Sequence, residues 1–191
     1  MGEKKIHLID VQGIKDKQQL EDMKWGLKRF CTERDYILFL IGINTGLRIS
    51  DLLALKREQI IRLNKKKRKE FLIREGKTKK ERMINITSIF KEVYMYASSL
   101  ESEYLFPSRK GDKAISPIQA YRQLNKAGEF AGVDSIGTHT MRKTFGYHFY
   151  KQTKDIAMLQ DILNHSTPKI TLRYIGIDKE EKDSVLDTFK L

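Results

Sequence analysis

Apolar residues recur at helical spacing along most of the chain. Between Lys17 and Phe30, the residues Leu20, Met23, Leu27 and Phe30 fall three or four apart, which predicts an amphipathic helix. Residues 33–44 are denser, with the run Tyr36-Ile37-Leu38-Phe39-Leu40-Ile41, and read as a buried helix ended by Gly46. Ser50 is the expected N-cap of a further helix over DLLALK. The period then changes. Phe71, Leu72 and Ile73, followed by Met83, Ile84 and Ile86, predict short strands, and Glu75-Gly76 marks a turn between them. Helical spacing returns near 88–100, before a loop with Pro107 and Gly111. Ser116-Pro117 opens another helix, an N-cap followed by proline at the first helical position. Helices near 139–152, 154–163, 168–175 and 179–189 complete the series, with no internal repeat or low-complexity linker. The expected architecture is mainly α (α+β): one domain over 1–191 with a small three-stranded antiparallel sheet.

Composition agrees with a single packed domain. The 191 residues are 40% hydrophobic and 32% charged, enough for a core without covalent staples. One cysteine, Cys31, excludes an intramolecular disulfide and a Cys-based zinc finger. No apolar run approaches the ~20 residues of a membrane span, and MGEKKIHLID has no signal-peptide core, so a cytoplasmic chain without membrane contact is expected.

Charge adds a partner. The 37 Lys and Arg against 25 Asp and Glu leave a net +12, which points to a polyanion, most simply nucleic acid. Residues 60–82 hold eleven basic residues against Glu70, Glu75 and Glu81, a local excess of eight. The run KKKRK within it fits a solvated loop as well as a DNA contact. A small sheet with basic turns would lay a positive ridge along a phosphate backbone. The expected DNA contacts are Lys65, Lys66, Lys67, Arg68, Lys79, Lys80 and Lys143.

Three segments combine cationic or imidazole side chains with helix starts. In Thr45-Gly46-Leu47-Arg48-Ile49-Ser50-Asp51, a guanidinium in the turn between two apolar helices would grip two phosphate oxygens, with Asp51 holding it. Alone, the segment is better read as an Arg48–Asp51 pair that merely ties two helices together. In Thr138-His139-Thr140-Met141-Arg142, His139 and Arg142 share one helical face. Thr138 as N-cap would put His139 in the first turn, where the helix dipole favours an anion. In the third segment, Leu163-Asn164-His165-Ser166, Tyr174 follows His165 by nine residues. The remaining histidines, His7 and His148, complete no metal-ligand spacing, and no phosphate-binding glycine loop or serine-hydrolase elbow is present. No cofactor and no metal are expected.

Together and in order, these segments resemble the catalytic domain of the tyrosine recombinases, the phage-integrase family. The motifs are TGLRISDLLALK (45–56), GKTKKERMINI (76–86), HTMRKTFGYHF (139–149) and LNHSTPKITLRY (163–174), so the resemblance spans about 33–175. It places the family's catalytic positions on Arg48, Lys77, His139, Arg142, His165 and Tyr174. Two departures stand out. Asn164 replaces the usual glycine before the second histidine, and Asp51 replaces the more frequent glutamate. The resemblance implies a site-specific DNA recombinase that cuts and rejoins strands through a covalent 3′-phosphotyrosine. Tyr174 would attack, Arg48 and Arg142 would hold the phosphate, His139 would assist deprotonation, Lys77 would protonate the leaving oxygen, and His165 would donate to a phosphate oxygen. It also implies a homotetramer on double-stranded DNA joined by exchange of the 176–191 tail, and a monomer in solution; the tail's apolar stripe, Val185, Leu186 and Phe189, could dock on a neighbour or equally fold back on its own chain. The family's N-terminal clamp domain is expected to be lacking, since only about 32 residues precede the buried helix. The chain then resembles an excised catalytic domain or a short recombinase such as the fimbrial-promoter invertases, encoded by a bacterium, phage or mobile element. Two rivals share these features: a type IB topoisomerase and a DNA-binding regulator without activity.

Overall fold

Asp16 opens the first helix, α1 (Lys17–Phe30), by accepting the Gln19 N–H at 2.8 Å. This helix has the ends expected from its spacing. The structure, a computed structural model, describes residues 11–133, 136–137, 139–177, 186–187 and 189–190. Helix α2 (Glu33–Thr45) is buried without a break from Tyr36 to Gly42, because other helices pack around it. Its neighbours are α1, α5 (Phe90–Ser99), α6 (Pro117–Phe130) and α7 (Thr140–Thr153). Each fully buried Leu, Ile or Phe there contributes about 1.5–3 kcal/mol, so α2 is the fixed axis of the domain.

Gly46 ends α2 in the left-handed region, φ +63°, and a Cβ there would lie 2.4 Å from the Phe145 ring. Gly46→Ala is therefore expected to cost about 2–4 kcal/mol, from left-handed strain plus overlap with Phe145. A melting curve should move down by roughly 5–15 °C; an unchanged midpoint would contradict this reading of the turn.

Beyond Gly46, Leu47 is drawn into the core and Arg48 becomes the extended residue before α3 (Ile49–Leu53). Ser50, expected as N-cap, thus lies inside the helix. Helix α4 (Arg57–Ile61) and a 3₁₀ turn at Arg62–Lys65 lead to the hairpin. Strands β1 (Glu70–Arg74) and β2 (Glu81–Asn85) pair antiparallel, with Phe71 opposite Ile84 and Ile73 opposite Arg82.

Among the described residues the sheet has two strands, not the expected three. The other extended segments form single bridges only, Lys56 with Tyr104 and Pro107 with Ala114. Proline has no N–H to extend such a ladder. Helix α6 begins as expected, with the Ser116 hydroxyl accepting from Gln119 N and Gln119 bonding back to Ser116 N.

The last helices form a satellite core. Leu159 and Leu163 of α8 (Ile156–Leu163) pack with Ile175 and Ile177 beyond α9 (Pro168–Tyr174), and Phe145, Phe149 and Tyr174 pack against them. Helix α8 begins at Ile156 because Asp155 caps it, two residues later than expected. The segment before α1 crosses α7: Ile14 N donates to Thr144 Oγ1 at 2.9 Å, and His148 Nε2 donates to the Ile14 carbonyl at 2.9 Å. His148 is thereby structural. The expected helix near 179–189, with Val185, falls largely outside the described residues, as does His7; Leu186 and Phe189 are exposed. Among the described residues, no helix is long and apolar enough to cross a membrane.

Candidate active site

Arg142 is the hub where the ends of three helices meet. Only 2% exposed, it donates from Nη1 to the Gly46 carbonyl at 2.5 Å and from Nη2 to the Leu163 carbonyl at 2.7 Å. The first turn of α7 is thus bonded to the ends of α2 and α8. A guanidinium has five N–H donors, so three remain for the site.

Tyr174, at the end of α9, faces α7. Its hydroxyl lies 3.1 Å from His139 Nδ1, and its ring sits edge-on to His165 with centroids 4.9 Å apart. Burial raises the phenol above its ordinary value, although the Arg142 and Arg48 charges and a hydrogen bond to Arg142 pull it down. Burial and the cations Arg142, Lys143, Arg48 and Lys77 hold His139 below its ordinary 6.5. At neutral pH the pair is therefore a neutral phenol beside a neutral imidazole. With the imidazole proton on Nε2, Nδ1 accepts from the phenol, the geometry of a general base with its nucleophile.

This fixes a pH response. A base works only when unprotonated, so for the DNA cleavage that the sequence resemblance implies, kcat/KM should fall as pH drops through the His139 pKa, below 6.5. The acid limb should be about tenfold per pH unit and absent in His139→Gln. A midpoint above pH 6.5 would contradict it. His139 itself precedes α7 in the N-cap position, rather than lying in its first turn, and Thr138 is outside the described residues.

His165 is held from the side. Its Nδ1 lies 3.2 Å from Oγ1 of Thr171, a fully buried residue of α9 whose hydroxyl also reaches the Thr167 carbonyl at 3.2 Å. Burial, then Arg142 and Arg48, keep this imidazole below its ordinary value as well. With Nδ1 engaged, Nε2 is the nitrogen available to a ligand. Asn164 adopts the left-handed helix end expected of it, φ 50° and ψ 49°, and its Oδ1 accepts from Lys80 Nζ at 2.8 Å.

Arg48 does not pair with Asp51. It donates from Nη1 to Glu75 Oε2 at 2.8 Å, while Asp51 Oδ1 accepts the Gly76 N–H at 2.9 Å. The expected partner is corrected because Asp51 points along its short side chain to the hairpin backbone, and the longer Glu75 meets the guanidinium. Although burial alone would raise Glu75, hydrogen bonds from Thr78 and Arg48 and the Arg48 and Arg142 charges hold it below the usual carboxylate range. Arg82, opposite Ile73, donates to the Thr45 carbonyl; burial and the Arg142 charge bring it down to about 10, still protonated at neutral pH.

Lys77 sits exposed in the turn 75–80, closed by Glu75 N to the Lys80 carbonyl and Lys79 N to the Glu75 carbonyl, both 2.9 Å. The other expected cations divide into three groups. Lys79 and Lys80 are exposed on this turn. Lys65, Lys66, Lys67 and Arg68 are exposed before β1, at the opposite end of the ribbon. Five-residue strands separate the ends by about 17 Å, so basic charge brackets the hairpin. Lys69 turns back instead, its Nζ donating to the carbonyls of Leu63, Asn64 and Lys66.

Lys143, the third group of expected DNA contacts, is buried rather than exposed. It is 8% exposed under the segment at Gly13, with Nζ 5.5 Å from the Tyr174 ring centroid. Among the described residues, no group of three His, Cys, Asp or Glu side chains is placed to hold a metal ion.

Glu75, Arg82 and Thr171 are the site residues that the motifs did not reveal. For two of them a signal existed. Phe71, Ile73 and Glu75 alternate onto one face, as do Ile84 and Arg82, so period 2 carries a base and an acid inward. The whole arrangement is an anion-binding site built around a phenol and a base.

Known proteins place this arrangement. The phage integrase family model matches residues 16–181. The probable integrase/recombinase YoeC of Bacillus subtilis (strain 168) is 47% identical over 181 residues, covering 94% of this chain and 97% of that protein. Tyrosine recombinase XerA of Pyrococcus furiosus is 33% identical over 159 residues, 80% of this chain but 54% of that protein. The chain thus spans about half the length of the Xer-type relatives. Among solved structures, a XerA recombinase aligns with a TM-score of 0.74 at 19% identity, over 94% of this chain and 65% of that one. XerH in a post-cleavage complex with its palindromic difH substrate aligns at 0.70 and 21% identity, over 93% and 53%. Identities this low show the shared fold.

Proposed function

Because the chain belongs to the phage integrase family of tyrosine recombinases, we propose that it cuts and rejoins double-stranded DNA at specific sites through a 3′-phosphotyrosine on Tyr174. The observation that carries this reading is the Tyr174 hydroxyl 3.1 Å from His139 Nδ1, beside the charges of Arg142 and Arg48.

A phosphodiester repels nucleophiles because it is an anion, and its charge grows in the pentacoordinate transition state. Arg48 and Arg142 hold the non-bridging oxygens and offset that growth. Oη of Tyr174 bonds to phosphorus as its proton passes to His139 Nδ1. The bond to the 5′ oxygen breaks, and Lys77 supplies the proton that makes it a hydroxyl. His165 donates from Nε2 to a phosphate oxygen, which requires the Thr171 hydroxyl to turn its proton to Nδ1 and so fix the tautomer as well as the ring. The phosphotyrosine conserves the energy of the broken bond, so the 5′ hydroxyl of another strand reverses the step.

The unit is a single catalytic domain. Lys65, Lys66, Lys67, Arg68, Lys79 and Lys80 hold the DNA backbone from the two ends of the hairpin, and Asp51 supports the turn that carries Lys77. Leu186 and Phe189 are exposed on the tail, which supports docking on a neighbouring protomer in a DNA-bound tetramer, with a monomer in free solution. Mixing the protein with a randomised pool of nicked duplexes and denaturing with SDS should leave a covalent protein–DNA band. A pool that yields none overturns the proposal.

A further inference from the structure

Glu75 is the last inward residue of the β1 stripe and is only 2% exposed. Its Oε2 accepts from Arg48 Nη1 at 2.8 Å and from Thr78 Oγ1 at 2.7 Å, while Oε1 has no hydrogen-bond partner among the described residues and lies 3.9 Å from Arg82 Nη1. Asp51 Oδ1 bonds the adjacent Gly76 N–H, and its Oδ2 is likewise buried without a hydrogen-bond partner.

Buried carboxylates of this kind are a poor way to gain stability, because desolvation offsets most of the Coulombic attraction. They are a good way to fix a direction. Three guanidiniums, Arg48, Arg82 and Arg142, converge here against two carboxylates. The cluster keeps one positive charge, matching the single negative charge of a phosphodiester.

We propose that Glu75 is a positioning residue for DNA cleavage: it fixes the Arg48 guanidinium and binds it to the turn that carries Lys77. The phosphate-gripping group and the proton donor then form one rigid unit before DNA arrives. With Nη1 held by Glu75, the Nε–Nη2 edge of Arg48 is the pair left for two phosphate oxygens. Thr78 keeps the carboxylate from following a rotation of Arg48, since it bonds the same oxygen. This inference rests on the proposed cleavage reaction.

Single-turnover cleavage of a nicked duplex recovered from the randomised pool provides the test. Glu75→Gln, nearly the same shape without the charge, should cleave on the order of 10–100-fold more slowly, the scale of a small misplacement of a reacting group. In an Arg48→Ala background the same change should cost less than about threefold, because a residue acting only through Arg48 has nothing left to position. Thr78→Val should slow cleavage in the same sense by a smaller factor, and it carries the test if Glu75→Gln folds poorly. Wild-type cleavage by Glu75→Gln, or an equal loss in both backgrounds, overturns the inference. Failure of the unmodified protein to form an adduct would instead remove the cleavage reaction itself, and the two failures are read from different lanes.

Discussion

Tyr174→Phe is expected to leave no SDS-resistant protein–DNA adduct on any duplex while binding DNA almost as the unmodified chain does. The substitution removes one atom. Its ring keeps the edge-on contact with His165 and the support of Leu159, Leu163 and Ile175. What is lost is a hydrogen bond to His139 and one to Arg142, worth about 0.5–1.5 kcal/mol each in stability. The fold should therefore survive while the phenol paired with His139 disappears. No partial activity is expected, because a missing nucleophile has no weaker substitute in the same place. Denaturing gels of single-turnover reactions, beside a filter-binding curve, provide the comparison. An adduct that persists in this variant takes the reaction away from Tyr174.

Arg142→Ala should be nearly as severe, for two separable reasons. Losing a fixed donor to the developing phosphate charge typically slows reaction by about 10²–10³, or ~2.7–4 kcal/mol. In addition, the carbonyls of Gly46 and Leu163 lose their buried donor, and each unsatisfied group costs about 1–3 kcal/mol of stability. The variant should melt earlier as well as cleave more slowly. Arg142→Lys separates the two effects. An ammonium keeps the charge but cannot bond two carbonyls and a phosphate from one plane, so cleavage should stay at least about tenfold below the unmodified rate. Wild-type cleavage by Arg142→Ala would contradict the role, and full activity with lysine would reduce it to a point charge.

Local signals carried most of the fold. Gly46, Ser116 and Asn164 announce helix ends through their own side chains or backbone freedom, and the helices end where they stand. The misplacements have tertiary causes. Ser50 has the chemistry of an N-cap, but burial of Leu47 sets the helix start two residues earlier, at Arg48. A third strand was expected of the small sheet although only two short apolar runs mark strands, and outside that pair only isolated bridges occur among the described residues.

The same division holds at the site. The motif order puts Arg48, His139, Arg142, His165 and Tyr174 at one site, and their side chains do converge, because each sits at a helix end whose position the core around α2 fixes. Partners across chain distance were not legible. Arg48 and Glu75 are separated by 27 residues, and Asp51 and Gly76 by 25, so no local spacing joins them. The burial of Lys143 was not legible either, because the segment around Gly13 that covers it lies far away along the chain.

The central claim is that Tyr174 forms the covalent bond to DNA, and peptide mapping of the trapped adduct tests it most directly. Trypsin should cut after Arg173 and Lys179, so the nucleotide should be found on peptide 174–179, joined through a 3′ phosphate to the tyrosine oxygen. A nucleotide on any other peptide, or linkage through a 5′ phosphate, would contradict the account.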